Sequence, residues 1–127
     1  LQSDAWMGPS LREASGPMIL VTALPLYHIF SLTANCLLFM KLGAHNVLIA
    51  NPRDFQGFVK ELSKVRFTFF SGVNTLFNAL LHTPGFDQLD FSRLRVSLGG
   101  GMAVQKAVAD NRNQVTGYTL TQAWGLT

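Results

Sequence analysis

Residues 18–26 read "MILVTALPL" (Met18 to Leu26), an unbroken apolar run with β-branched side chains, closed by a proline. A strand with one face in water alternates polar and apolar residues, whereas a strand covered on both faces does not. The run therefore predicts a strand buried on both faces, and with it a covered sheet. The covering begins directly afterwards. "IFSLTANCLLFMKL" (Ile29 to Leu42) is apolar over helix length and is stopped by Gly43. Ser31, Thr33 and Asn35 interrupt it, and it is shorter than the roughly 20 residues a membrane span needs, so it reads as a buried helix.

The same alternation continues outward. "NVLIAN" is a second strand, ended by Asn51-Pro52, and "DFQGFVKELSKV" a helix with Asp54 as N-cap and Phe55, Phe58, Val59 and Leu62 on one face. "RFTFFSGV" is a third strand, followed by the helix "NTLFNALLHT" with Asn74 at its cap and a break at Pro84-Gly85. "LRVSL" is a fourth strand running into "GGGM", "AVQKAVADNRNQV" the next helix, and "GYTLTQAWG" a fifth strand. The expected fold class is α/β: a mainly parallel five-stranded sheet with helices on both faces, near Ile29–Leu42, Asp54–Val65, Asn74–His82 and Ala103–Val115. Before the first strand, "LQSDAWMGPSL" reads as the tail of a helix that Gly8-Pro9 stops.

Composition bounds the function. At 127 residues the chain has room for one domain with a real core. Only 13% of residues are charged, against roughly a quarter in an ordinary soluble domain, so part of the surface is expected to be covered. The net charge of +3 is scattered, with no basic run interleaved with aromatics, which argues against a nucleic-acid partner. The single Cys36 cannot form an internal disulfide, and a reducing compartment follows as the simpler reading. Both ends of the sequence read as abrupt, as expected of a piece of a longer protein.

In parallel α/β sheets ligands bind at the carboxyl ends of the strands. There stand "PLYHIF", "SGVNTLF", "GGGM" and "QAWGLT". Each alone has an ordinary reading: His28 as a capped surface histidine, the glycines as a tight turn, Met102 as a gap-filler and Trp124 as core. The GxGxxG and GxxxxGK[ST] spacings of phosphate loops are absent from the glycine stretch. Nor does an acidic residue end the second strand, as a dinucleotide-binding domain would have.

In order, "LPLYHIF", "LGGGM" and "QAWGLT" resemble the acyl-adenylate-forming enzymes: acyl-CoA synthetases, luciferases and peptide-synthetase adenylation domains. "VTALPLYHIF", "NPRD", "VKEL", "GVNTLFNALL" and "LDFSRL" extend the resemblance to bacterial long-chain fatty acid CoA ligases, from about Val21 onward. The resemblance implies an ATP-dependent, AMP-forming ligase that makes a fatty acyl-adenylate and then acyl-CoA. Its cofactors would be ATP, Mg and coenzyme A. It implies that Trp124 stacks on adenine, that Thr127 contacts the α-phosphate, and that Gly99, Gly100, Gly101, Gln122 and Ala123 complete the nucleotide side. His28, a catalytic candidate with Thr127, and Phe30 would border the acyl carboxylate. Ser71, Gly72 and Val73 would line the acyl tunnel, though Val73 reads equally as core and Asn74 as a plain cap.

The family's metal-holding glutamate would follow Thr127, and no metal ligand is expected within these residues. The phosphate loop and the small C-terminal domain, with its catalytic lysine, are likewise expected outside them, so the chain alone is expected to be inactive. The resemblance further implies a cytoplasmic enzyme in peripheral contact with the inner face of the membrane, and exposed helix faces through which the fragment self-associates. The alternative is a non-catalytic, doubly wound nucleotide- or ligand-binding module.

Overall fold

The computed structural model describes residues 16–100, 105–117 and 120–122, together with Ala5, Pro9 and Arg12. Its strands are β1 (Ile19–Thr22), β2 (His45–Leu48), β3 (Phe69–Gly72), β4 (Val96–Gly99) and β5 (Leu120–Gln122). All pair in parallel, in the order β2-β1-β3-β4-β5. The helix that follows β1, α1, is α-helical at Ile29–Ser31 and Leu38–Leu42, with a π-helical stretch at Leu32–Leu37 between. The others are α2 (Phe55–Ser63), α3 (Asn74–Leu81) and α4 (Lys106–Thr116).

Side chains alternate across the sheet and sort into two cores. Leu20, Phe69 and Leu98 face α1, where they meet Ala34, Leu38 and Phe39. Val21, Phe70 and Leu120 face the other way and are covered by Phe58, Val59 and Leu62 of α2, Leu76, Phe77 and Leu80 of α3, and Val108 of α4. Helices thus cover both faces, as the doubly apolar strand sequences require. α1 ends because Gly43 adopts a left-handed φ of 68° and bonds back to Met40 and Phe39. Asp54 caps α2 by accepting from Gly57 N at 3.0 Å.

Three local expectations are corrected. Pro9, expected to stop a helix, is itself helical, as is Arg12; a proline keeps a helical φ and forfeits only its own N–H bond. The first strand stops at Thr22 rather than running to the proline, because Pro25 O accepts from His28 N at 3.1 Å and turns the chain. Asn74 is not the cap of α3. Val73 holds that position without a side-chain bond, and Asn74 Oδ1 accepts from Gln105 N at 2.9 Å, joining the starts of α3 and α4.

Candidate functional site: the carboxyl rim of the sheet

A parallel sheet brings every strand's carboxyl end to one edge. Thr22 pairs with Ser71, and Gly72 with Gly99, which in turn pairs with Gln122. The segments after β1, β3 and β4 therefore open on a common rim, although they are far apart in sequence.

His28 forms the entry to α1. Its backbone is extended, and its Nδ1 accepts from Phe30 N at 3.3 Å. A neutral imidazole that accepts through Nδ1 carries its proton on Nε2, so the exposed ring presents an N–H donor outward. Phe30 points inward. A Cβ placed on Gly100 would lie 2.7 Å from two carbons of the Phe30 ring, so the phenyl group sits directly on the bare Cα of Gly100. Gly100 N donates to Gly72 O at 3.1 Å, holding the chain beyond β4 against the end of β3. The histidine motif and the glycine motif thus touch.

Ser71 and Gly72 face opposite sides of the sheet. Ser71 is fully buried toward α1 and donates to Asn35 Oδ1 at 2.9 Å, whereas a Cβ on Gly72 would press on Leu76 and Phe77 of α3 at 3.1 Å. Val73 lines a mostly apolar groove of about 290 Å³ with Ala23, Leu24, Pro25, Leu76 and the exposed Arg53. The groove opens at the ends of β1 and β3. Gly101, Met102, Ala123, Trp124 and Thr127 lie outside the described residues, and Gln122 is described only by its place in β5.

Two features escaped sequence reading. Arg112 of α4 is completely buried, with its guanidinium 4.7 Å from the Phe77 ring centroid and 5.5 Å from that of Phe70. None of its three nitrogens has a hydrogen-bond partner among the described residues, and burial pushes its pKa down to about 10. The pattern of α4 offered no signal, since an arginine in a polar helix reads as solvated. The second feature is a buried polar circuit of Thr22, Asn35, Asn46 and Ser71 beneath α1. Its signal was the polar interruptions of the Ile29–Leu42 run, of which Ser31 and Asn35 fall one helical turn apart.

A parallel sheet with helices on both faces, and a rim that joins a helix-capping histidine to a ring-covered glycine, defines a domain of the α/β class whose members take ligands across the carboxyl edge. The chain belongs to the AMP-binding enzyme family, which matches residues 3–127. It is 57% identical over 126 residues to the long-chain-fatty-acid–CoA ligase of Escherichia coli O6:H1, covering 99% of this chain and 22% of that protein. It is 51% identical over 119 residues to the ligase of the same name from Haemophilus influenzae, covering 94% and 21%. The chain thus spans about a fifth of the length of these relatives. Among solved structures, the anthranilate CoA ligase AuaEII in complex with anthranoyl-AMP matches with a TM-score of 0.81 over 98% of this chain and 24% of that one, at 21% identity. That likeness establishes the shared fold. No helix among the described residues is long and apolar enough to cross a membrane.

Proposed function

We propose that these residues form the acyl- and adenine-facing rim of a long-chain fatty acid CoA ligase. The observation that carries the reading is the contact of Phe30 with Gly100, because it joins the two motifs that acyl and nucleotide groups would have to reach together. Identity to the curated ligases over nearly the whole chain supports the substrate class.

In this reading the fatty carboxylate attacks the α-phosphate of ATP, forming the acyl-adenylate and releasing pyrophosphate. The thiol of coenzyme A then attacks the acyl carbonyl and AMP departs. His28, with its proton on Nε2, donates to oxygens that gain negative charge in the first step. Phe30 walls the acyl carboxylate, and Gly99, Gly100 and Gly101 let backbone approach the adenylate where a side chain would intrude. Val73 contributes to the acyl wall through its groove; Ser71 acts behind the wall rather than in it, since it is buried on Asn35. Trp124 stacks on adenine, flanked by Gln122 and Ala123, and Thr127 contacts the α-phosphate. Magnesium would supply charge neutralisation at the phosphates, and its ligands are assigned to the rest of the enzyme.

Because the chain spans a fifth of its relatives, we assign turnover to the complete enzyme and none to these residues in isolation. We assign that enzyme to the cytoplasm, in peripheral contact with the membrane's inner face, as a reading that follows from the proposed fatty acid substrate. The test is ATP–pyrophosphate exchange with a C16 fatty acid by the complete protein that carries these residues. Exchange that depends on the fatty acid is the expected result, and its absence across C8 to C18 acids refutes the reading.

A further inference from the structure

α1 carries His28 and Phe30 at its start, yet almost everything that holds it to the sheet is non-directional. Leu20, Phe69 and Leu98 meet Ala34, Leu38 and Phe39 through apolar contact alone, and contact of that kind barely distinguishes one axial register of a helix from the next. The outer side of the helix has even less grip, because Leu32, Leu37 and Met40 are exposed. A one-residue slip would translate the helix by about 1.5 Å and rotate it by about 100°. Either movement would lift Phe30 from Gly100 and turn His28 away from the rim.

Against this stands a closed hydrogen-bond circuit. Asn35 Nδ2 donates to Thr22 Oγ1 at 3.1 Å, Thr22 Oγ1 donates to Asn46 Oδ1 at 2.7 Å, and Asn46 Nδ2 returns to the Asn35 carbonyl at 3.4 Å. Ser71 Oγ donates to Asn35 Oδ1 at 2.9 Å. One side chain on α1 is thereby bonded to β1 and β3 near their carboxyl ends, and through its backbone to the first half of β2. Asn35 lies in the π-helical stretch Leu32–Leu37, where Leu38 N reaches back to Thr33 O, and π-turns of this kind are often found at functional sites. One turn nearer the rim, Ser31 Oγ donates to Leu24 O at 3.2 Å. Thr22, Ser31, Asn35 and Ser71 are all at most 3% exposed. Polar groups so deeply buried add little net stability over an apolar packing, but when fully bonded they select one arrangement.

We propose that Asn35 is a positioning residue for the ligase reaction: its circuit sets the axial register of α1 and thereby aims His28 and Phe30 at the rim. The inference rests on the ligase reading above. Asn35 acts through these two residues and itself touches no substrate.

The experiment compares the complete enzyme with its Asn35→Leu variant, which keeps the branching at Cγ and the number of side-chain heavy atoms and loses the bonds. Kinetic constants are measured for fatty acid and for ATP, beside the thermal unfolding midpoint. The expected result is a folded variant whose kcat/KM for the C16 acid falls tenfold or more, since ångström-scale misplacement costs up to about 100-fold, while the KM for ATP stays within twofold. A purely structural asparagine would lower the midpoint and leave the constants of the folded enzyme unchanged; that result overturns the inference. Should Asn35→Leu not fold, Thr22→Val removes the acceptor for Asn35 Nδ2 and the donor to Asn46 Oδ1 while leaving Asn35 bonded to Ser71, and a three- to tenfold loss confined to the fatty acid is expected; unchanged constants again overturn it. Wild-type enzyme inactive on every fatty acid refutes the ligase reading instead. The inference is then decided by a crystal structure of Asn35→Leu, in which Phe30 either leaves Gly100 or keeps its place.

Discussion

The ring of Phe30 occupies the space that a side chain at residue 100 would need, so the approach of α1 to the end of β4 is set by the hydrogen atom of Gly100. Two stretches some seventy positions apart in the chain are joined there without a hydrogen bond between their side chains. The contact is steric, and it can be probed by adding one methyl group.

Gly100→Ala is expected to destabilise the protein by about 1–3 kcal/mol, the usual cost of overpacking a close contact. In the complete enzyme it should also depress kcat/KM for the fatty acid by displacing Phe30. The check is a double-mutant cycle with Phe30→Ala: if the two residues are coupled, the alanine at 100 costs less once the ring is gone.

His28→Ala in the complete enzyme is expected to lower kcat for adenylation by one to two orders of magnitude and to leave the KM for ATP nearly unchanged, because in the role proposed for it the lost donor acts on charge that develops in the transition state. Trp124→Ala should behave oppositely, raising the KM for ATP several-fold, in line with the ~1–3 kcal/mol that base stacking on an aromatic contributes. Pyrophosphate exchange on both variants separates the two roles. An unchanged exchange rate in His28→Ala would remove the histidine from the mechanism.

Arg112 is expected to cost stability at neutral pH. Its charged form is disfavoured by burial, which lowers its pKa to about 10 from the ordinary arginine value. At about 1.4 kcal/mol per pKa unit, the penalty is on the order of 3 kcal/mol below pH 10, partly offset by its two aromatic neighbours. The sign follows from proton binding. Above about pH 10 the unfolded chain still holds the proton that the folded one has released, so this residue's penalty shrinks as pH rises beyond that value. Arg112→Met removes the penalty at pH 7 and should raise the unfolding midpoint by several degrees; a fall would show that the guanidinium is bonded in solution.

The isolated chain is expected to self-associate through α1. Ile29, Leu37 and Met40 are 47–72% exposed, and Leu48 at the sheet edge is 60% exposed. Sedimentation at rising concentration should show dimers or larger species, and Met40→Lys with Leu37→Lys should shift them toward monomer. A wild-type chain that stays monomeric at high concentration contradicts this.

The alternation of strand and helix was legible because it is a local property. "MILVTALPL" and "RFTFFSGV" are apolar on both faces wherever they are placed, and Gly43 and Pro52 punctuate the chain by their own backbone preferences. Residue types likewise marked the rim, since a parallel sheet gathers its carboxyl ends on one edge. The partners of polar side chains were not legible. Asn74 looked like a cap and instead holds Gln105; Arg112, which nothing in the sequence singled out, is buried beside two phenylalanines. Asn35 looked like a blemish in an apolar helix and closes a circuit with β1, β2 and β3. Periodicity tells which side of a helix faces the sheet. Which hydroxyl or amide waits there depends on strand order and register, and those arise only when segments distant in the chain pack against one another.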